Sequence, residues 1–346
     1  MITEPLVSVN MITYNHAPFI TQAIEGVLQQ KTNFPFELVI GEDCSIDGTR
    51  ETVFEYQIKH PDIIRVVTSG NNVGMKKNGL RTMKACQGKY IAFCEGDDYW
   101  HNPGKLQKQV DYLESHTECG LVYSSYDLYH VSSKKKIHDF IKHQNLEPPQ
   151  TPSLSNFLKK GWMSVGIVTC TVMTRRTLCE QIIESDPYLH QNDYFLMGDT
   201  QLWAEIATKA QLHYIPESLA TYNITDESAS RSNNVKKRLR FAISSSELYL
   251  YLCGKYNLPL SIKNSHEEAW CNYSLRLAFH TRNKELAEEV RNKKRTFTLK
   301  EWLRYYGARN LVFHYIYRAS AFLLNFLAKT HSDWMREHRP IWTKIS

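Results

Sequence analysis

The chain has 346 residues, 42% hydrophobic and 23% charged, and a net charge of +6. These are globular proportions, which exclude a disordered or fibrous chain, and the length suits about two domains. The modest net charge and the absence of any nucleic-acid motif argue against a nucleic-acid partner, although the basic residues thicken after Lys236. The eight cysteines form no C-x-x-C pair and several lie in apolar runs, the pattern of reduced, buried thiols. None of the fourteen histidines has zinc-site spacing. Residues 1–5 have neither a basic nor an apolar leader character, so the cytoplasm is the expected compartment.

Residues 7 to 130 alternate short β-branched runs with helical periodicity, the mark of βα units around a mainly parallel sheet. The predicted strands are Val7–Ile12, Phe36–Gly41, Ile64–Thr68, Tyr90–Glu95 and Gly120–Tyr129. Between them Ile20, Ile24, Val27 and Leu28 repeat at helical spacing, as do Leu106, Val110 and Leu113. The polar stretch Ser132–Asn145 and the prolines from Pro148 to Pro152 predict a loop or linker. From Leu154 to Asn223 the pattern predicts a helix, a strand at Ile167–Met173, another helix, a helix over Thr200–Lys209 and short strands near His213 and Ala220. Beyond Asn234 the chain reads as helical. These readings divide it at residue 232, with halves 1–130 and 150–232 in the first domain and a C-terminal helical region over 233–346.

The most informative stretch is Tyr90 to Trp100, an apolar strand that runs into Glu95, Asp97 and Asp98. In α/β proteins ligands sit at strand C-termini. Carboxylates this close raise one another's pKa unless a cation neutralises them, and oxygen-only ligands favour Mg2+ or Mn2+ over zinc. Read alone, the same residues also fit a solvated acidic turn. The first strand ends in Thr13-Tyr14-Asn15 and the second in Glu42-Asp43, followed by Asp47-Gly48-Thr49, which also resembles a capped helix start. After the third strand come the turn Asn71-Asn72-Val73-Gly74 and, on the next helix, Arg81, whose guanidinium suits a diphosphate or a solvated helix face.

In this order the motifs resemble those of the family 2 glycosyltransferases. They are Thr13-Tyr14-Asn15, Glu42 to Thr49, Asn72-Val73-Gly74 and Glu95-Gly96-Asp97-Asp98-Tyr99-Trp100, within a match over roughly residues 5 to 230. The resemblance implies an α/β GT-A nucleotide-diphospho-sugar transferase fold, a mixed, mainly parallel sheet flanked by helices. It implies inverting transfer from a nucleotide-diphosphate sugar, expected to be a UDP-sugar, to a glycan or lipid-linked glycan acceptor of a bacterial surface polysaccharide. Thr13, Tyr14, Asn15, Asn72 and Arg81 would lie by the nucleotide, and Asp43 would read the uracil. Glu95, Asp97 and Asp98 would hold Mg2+ or Mn2+, with Asp97 by the diphosphate and Asp98 by the ribose or metal.

Met197 to Trp203 resembles the family's segment that carries the catalytic base, which makes Asp199 the candidate and Asp193 the reserve. Asp199 also stands where an N-cap would. Two positions depart from the family pattern: Gly198 replaces a glutamate, and Thr225 stands where a histidine is usual, ahead of Ser228-Ala229-Ser230. Arg231, Lys236 or Lys237 are then the basic residues left to meet a diphosphate, or else plain solvated charges.

The rival readings are a catalytically degenerate nucleotide-binding scaffold, motivated by Gly198 and Thr225, and a nucleotidyltransferase, whose Gly-rich basic loop is missing after Ile12. Leu311–Ala328 is apolar but interrupted by His314, Arg318, Ser320 and Asn325, too often to span a bilayer comfortably. Two roles stay open for it: packing on the domain or on a second copy in a homodimer, and lying on an anionic membrane surface as a peripheral amphipathic helix.

Overall fold

A computed structural model describes residues 4–148, 153–160, 166–225 and 234–316. The chain divides into two compact units, Met1–Arg231 and Ser232–Ser346. Arg231, the segment 228–230, residues 149–152 of the expected linker and residues 317–328 of the apolar stretch lie outside the described residues.

The first unit begins with strand β1 (Val7–Thr13), helix α1 (Ile20–Leu28), β2 (Phe36–Glu42), α2 (Thr49–Lys59), β3 (Ile64–Val67), α3 (Met75–Ala85) and β4 (Tyr90–Phe93). It continues through β5 (Tyr99–Trp100), α4 (Lys105–Ser115), β6 (Cys119–His130), β7 (Lys135–Ile137), α5 (Phe140–His143) and α6 (Leu154–Lys160). Then come β8 (Met173–Arg175), α7 (Arg176–Ser185), α8 (Pro187–His190), α9 (Thr200–Lys209) and β9 (Gln211–Ile224). The strands form one sheet in the order β3-β2-β1-β4-β8-β6-β9-β5, with β7 beside β6.

Strands β3, β2, β1 and β4 run parallel, and so do β6 and β9, whereas β8, β5 and β7 pair antiparallel to their neighbours. Parallel strands bury both faces, so each reads as a nearly continuous apolar run. Val7, Val9, Met11, Leu38 and Ile40 pack on one face against Ile20 and Ile24 of α1 and Leu106 and Val110 of α4. Val39, Ile91 and Phe93 point to the other face, where Ile182 of α7 and Leu202, Trp203 and Ile206 of α9 cover them. All eight cysteines are free thiols, seven of them buried and Cys44 half-buried.

The structure corrects the expected elements at four places. Ile167–Met173 is not one strand: Thr169–Thr171 is a 3-10 turn and the strand starts at Met173. The Thr171 hydroxyl donates to the Val168 carbonyl at 2.7 Å, and the Trp100 indole takes the Cys170 carbonyl at 2.8 Å, so this backbone is spent on the turn and not on a ladder. The two short strands near His213 and Ala220 are one strand, β9, whose register against β6 slips around Pro216, where proline cannot donate to the ladder. The polar stretch 132–145 holds β7 and α5. The strand expected to run to Glu95 stops at Phe93, leaving the acidic residues on a loop that β5 closes.

The second unit holds α10 (Val235–Lys255), α11 (Leu260–Thr281), α12 (Lys284–Lys293) and α13 (Leu299–Arg309). Trp270, Leu275, Ala278, Ala287, Val290, Tyr305 and Ala308 form its core. Three of these four helix starts are capped by side chains: Asn234 and Asn283 accept backbone N–H bonds, and Thr298 and Glu301 make a reciprocal capping box, whereas α11 starts after Pro259 with no side-chain cap. Among the described residues no helix is long and apolar enough to cross a membrane.

Candidate active site

The acidic loop exists because Gly96 has no side chain. Its N–H donates to the Ile12 carbonyl at 2.9 Å, and a Cβ there would lie 2.6 Å from the Thr13 hydroxyl oxygen, so only glycine lets the loop press on the end of β1. Gly26 does the same on the other side, where a Cβ would meet the Trp100 backbone at 2.8 Å. The loop is thereby wedged between β1, α1 and β9.

Four buried polar atoms around this loop lack a hydrogen-bond partner: Thr13 Oγ1, His16 Nδ1, Glu95 Oε2 and Asn223 Oδ1. Folded proteins satisfy nearly all buried polar atoms, so four orphans around one loop mark a place built to receive a polar ligand. The Asp97 carboxylate is half-buried and likewise makes no hydrogen bond among the described residues. Burial, then the charges of Asp97 and Asp199, push the Glu95 carboxyl up to about 8, against a backbone N–H and the Thr169 hydroxyl.

Asp98 is different. It is 3% exposed, and its Oδ1 accepts the Asn223 N–H at 2.8 Å. Burial first, then Asp97 and Glu95, push its carboxyl well above the usual range. It anchors the loop from beneath, whereas Glu95 and Asp97 carry the bare oxygens.

Among the described residues no three His, Cys, Asp or Glu side chains form a ready metal cage. That composition still suits Mg2+, which is commonly held by one or two carboxylates together with substrate phosphates. The orphan Glu95 oxygen and the unbonded Asp97 carboxylate fit such an ion, while Asp98 has already given one oxygen to the backbone.

At the ends of β1 and β2 the other expected residues are more heavily bonded than their motifs suggested. Asp43 is 1% exposed, and its two oxygens accept the N–H groups of Val73 at 2.8 Å and Gly74 at 2.9 Å. Arg81 lies 3.4 Å from it and also bonds Asn78, the Ser69 hydroxyl and the Glu42 carbonyl, so its guanidinium braces Asp43 and does not stand open to a diphosphate. The exposed Asn72 closes the same turn through Oδ1 to the Gly74 N–H. Asn15, at φ 55°, ties its loop to Ile46 and Ser45, and Tyr14 is 42% exposed beside it. Asp47 accepts from the Thr49 N–H and hydroxyl and from the Ala17 N–H, which is the capping role.

Asp199 is half-buried at the N-cap of α9. Its Oδ1 accepts the Thr200 N–H at 2.6 Å and its Oδ2 accepts the Thr169 hydroxyl at 2.6 Å. Thr169 therefore stands between Asp199 and Glu95 and joins the α9 end to the acidic loop. Asp193 is exposed and faces Lys77 at 3.5 Å. Neither Thr169 nor Lys76 is marked by a sequence motif. Lys76, on the first turn of α3, donates to the carbonyls of Asn192 at 2.7 Å and Phe195 at 2.9 Å, and burial holds its ammonium below the usual range against the pull of Asp193. The turn that Asp43 grips thus continues into a residue that grips the segment leading to Asp199. Thr225 is half-buried at the end of β9.

A mixed sheet with an acidic loop beyond β4 and a carboxylate opposite it is the arrangement of a GT-A transferase. The family model for glycosyl transferase family 2 matches residues 8–182, and the chain belongs to that family. It is 40% identical over 111 residues to the uncharacterized protein Rv1520 of Mycobacterium tuberculosis, a match that spans 32% of this chain and 32%, about a third, of that relative's length. It is 29% identical over 191 residues to a UDP-Glc:alpha-D-GlcNAc-diphosphoundecaprenol beta-1,3-glucosyltransferase, WfgD, of Escherichia coli, covering 55% of this chain and 68% of that one. Its fold matches the mannosyltransferase PcManGT of Pyrobaculum calidifontis, solved with GDP-Man and Mn2+, at a TM-score of 0.53 and 16% identity over 90% of this chain and 86% of that one.

Proposed function

We propose that this chain is an inverting, metal-dependent hexosyl- or N-acetylhexosaminyltransferase that moves a sugar from a UDP-sugar to a glycan, free or lipid-linked, during bacterial surface polysaccharide synthesis at the inner face of the cell membrane. The observation that carries the reading is the group of orphan polar atoms of Thr13, His16, Glu95 and Asn223 around the acidic loop, with Asp199 bearing on the same charge. The relative that acts on a UDP-sugar and a diphospholipid-linked acceptor supports the choice of donor and acceptor.

Asp199 would take the proton of the acceptor hydroxyl as that oxygen attacks the anomeric carbon, while the bond to the diphosphate breaks on the opposite side. Thr169 fixes the direction of the carboxylate through Oδ2, and the Thr200 N–H holds Oδ1. Glu95 and Asp97 would hold Mg2+ or Mn2+ with the donor's phosphates, and when bound that ion neutralises the departing diphosphate. Asp43, held by Val73, Gly74 and Arg81, presents the wall against which the base would lie.

Calorimetric titration of UDP, GDP and dTDP, each with Mn2+ and with EDTA, tests the donor half. Metal-dependent preference for UDP is the expected result, followed by turnover of a UDP-sugar. Binding without turnover of any nucleotide sugar would leave the degenerate scaffold, and preference for GDP would overturn the donor assignment.

A further inference from the structure

The C-terminal helical unit contains a cavity of about 560 Å³ between α11 and the start of α13. Glu268, Asn272 and Arg276 line it from α11, and Lys300, Glu301 and Arg304 from α13. The two carboxylates share one ammonium: Lys294 lies 2.7 Å from Glu301 and 3.6 Å from Glu268. Glu301 is further spent on the capping box with Thr298. Although burial raises its carboxyl, the bonds from Lys294 and Thr298 outweigh that and hold it below the usual range.

The cations on the wall are not so engaged. Arg276 is half-buried and makes no hydrogen bond or ion pair among the described residues, and the exposed Lys300 makes none either. Arg304 makes a single bond, to the Asn272 side chain at 3.2 Å. With Lys294 included, four cations meet two carboxylates, so the cavity keeps a surplus of two positive charges. A guanidinium with no protein partner keeps its forked donors available, and they match a phosphate's oxygens.

We propose that this cavity is an anion site for a doubly charged phosphate group, held by Arg276, Lys300 and Arg304. A soluble phosphate and the headgroup of a lipid phosphomonoester share that chemistry. The assignment stands on the C-terminal unit alone and is independent of the transferase reading.

Calorimetry of the full chain against inorganic phosphate at low ionic strength, without added metal, tests it. Saturable binding is expected, weakened about tenfold by Arg276→Gln and further by Arg276→Gln with Lys300→Gln, since each removes a charge-assisted bond. Lys300 is exposed, so Lys300→Gln remains informative if the Arg276 variant melts early. Asp97→Asn should leave phosphate binding unchanged, which separates this cavity from the acidic loop. Flotation with phosphatidylcholine vesicles containing phosphatidic acid, lost in the double variant, would assign the lipid source. Phosphate binding without flotation would assign the soluble one. Wild-type protein that does not bind phosphate saturably, or a double variant of unchanged affinity, overturns the proposal.

Discussion

The carboxylate of Asp98 accepts the backbone N–H of Asn223 at 2.8 Å across 125 residues of chain, and Asn223 in turn donates its side-chain amide to the Asp97 carbonyl at 2.5 Å. The pair clamps the acidic loop to β9 and sets the height at which the Asp97 carboxylate stands. Asp98→Ala would leave the buried Asn223 N–H unpaired and should cost about 1–3 kcal/mol. Asp98→Asn keeps an acceptor while removing a charge that burial disfavours, so its stability should equal or exceed that of the wild type. Urea denaturation of both variants checks this. Loss of Mn2+-dependent nucleotide affinity in a well-folded Asp98→Asn protein would instead give Asp98 a ligand's role.

Asp199→Asn should reduce sugar transfer by about a hundredfold or more, the usual contribution of a positioned base. Asparagine is as good an N-cap as aspartate, so α9 and the fold should survive. Nucleotide affinity should stay within about twofold of the wild type. Steady-state turnover paired with calorimetry separates the two quantities, and undiminished turnover would remove Asp199 from the chemistry.

Lys76→Met should disconnect α3 from the segment that leads to Asp199. The Asn192 and Phe195 carbonyls would lose their donor, and Asp199 would lose its fixed approach. Misplacing a reacting group by about an ångström can cost a hundredfold. The expected pattern is a fall in kcat of about tenfold or more with nucleotide affinity retained, and recovery in Lys76→Arg. A variant with normal kcat would show that the segment holds its shape without this bridge.

Acid stability should depend on Asp127. Its Oδ1 accepts from Ser218 and the Asp139 N–H, and Lys136 lies 3.1 Å from its Oδ2. Burial alone would raise this carboxyl, but the Ser218, Asp139 and Lys136 bonds hold it at about 2, below its ordinary 3.8. The folded value is the lower one, so the stabilisation is complete above about pH 4 and disappears as pH falls through about 2. Asp127→Asn should therefore be less stable than the wild type at neutral pH, by no more than about 2 kcal/mol after screening, and equal to it near the lower limit. Denaturant melts across that range test the convergence.

The strand ends were legible because parallel strands buried on both faces leave apolar runs that stop at polar residues, as at Thr13 and Glu42. The base candidate was legible only through its family motif. Thr169 was not, because a threonine in a β-branched run reads as strand, and the turn that exposes its hydroxyl is set by Trp100, far away in sequence. Lys76 in a first helical turn reads as solvated, and only the fold brings two carbonyls to it. Asp43 follows the end of β2, as its motif has it, but the motif carries no trace of the Val73 and Gly74 N–H groups that occupy its carboxylate.

The long span closed by Asp98 and Asn223 also orders events in time. During synthesis the acidic loop emerges well before β9, and β6 must wait for its parallel partner across some eighty residues of intervening chain. Pairings of such separation form late, after loop closure has been paid for in entropy. A nascent chain that has released all of residues 8–182 would hold the whole family match and still lack the strand that seats Asp97. On the proposed reading, the acidic loop would gain its seat only when Asn223 arrives, after the helices and strands that precede it.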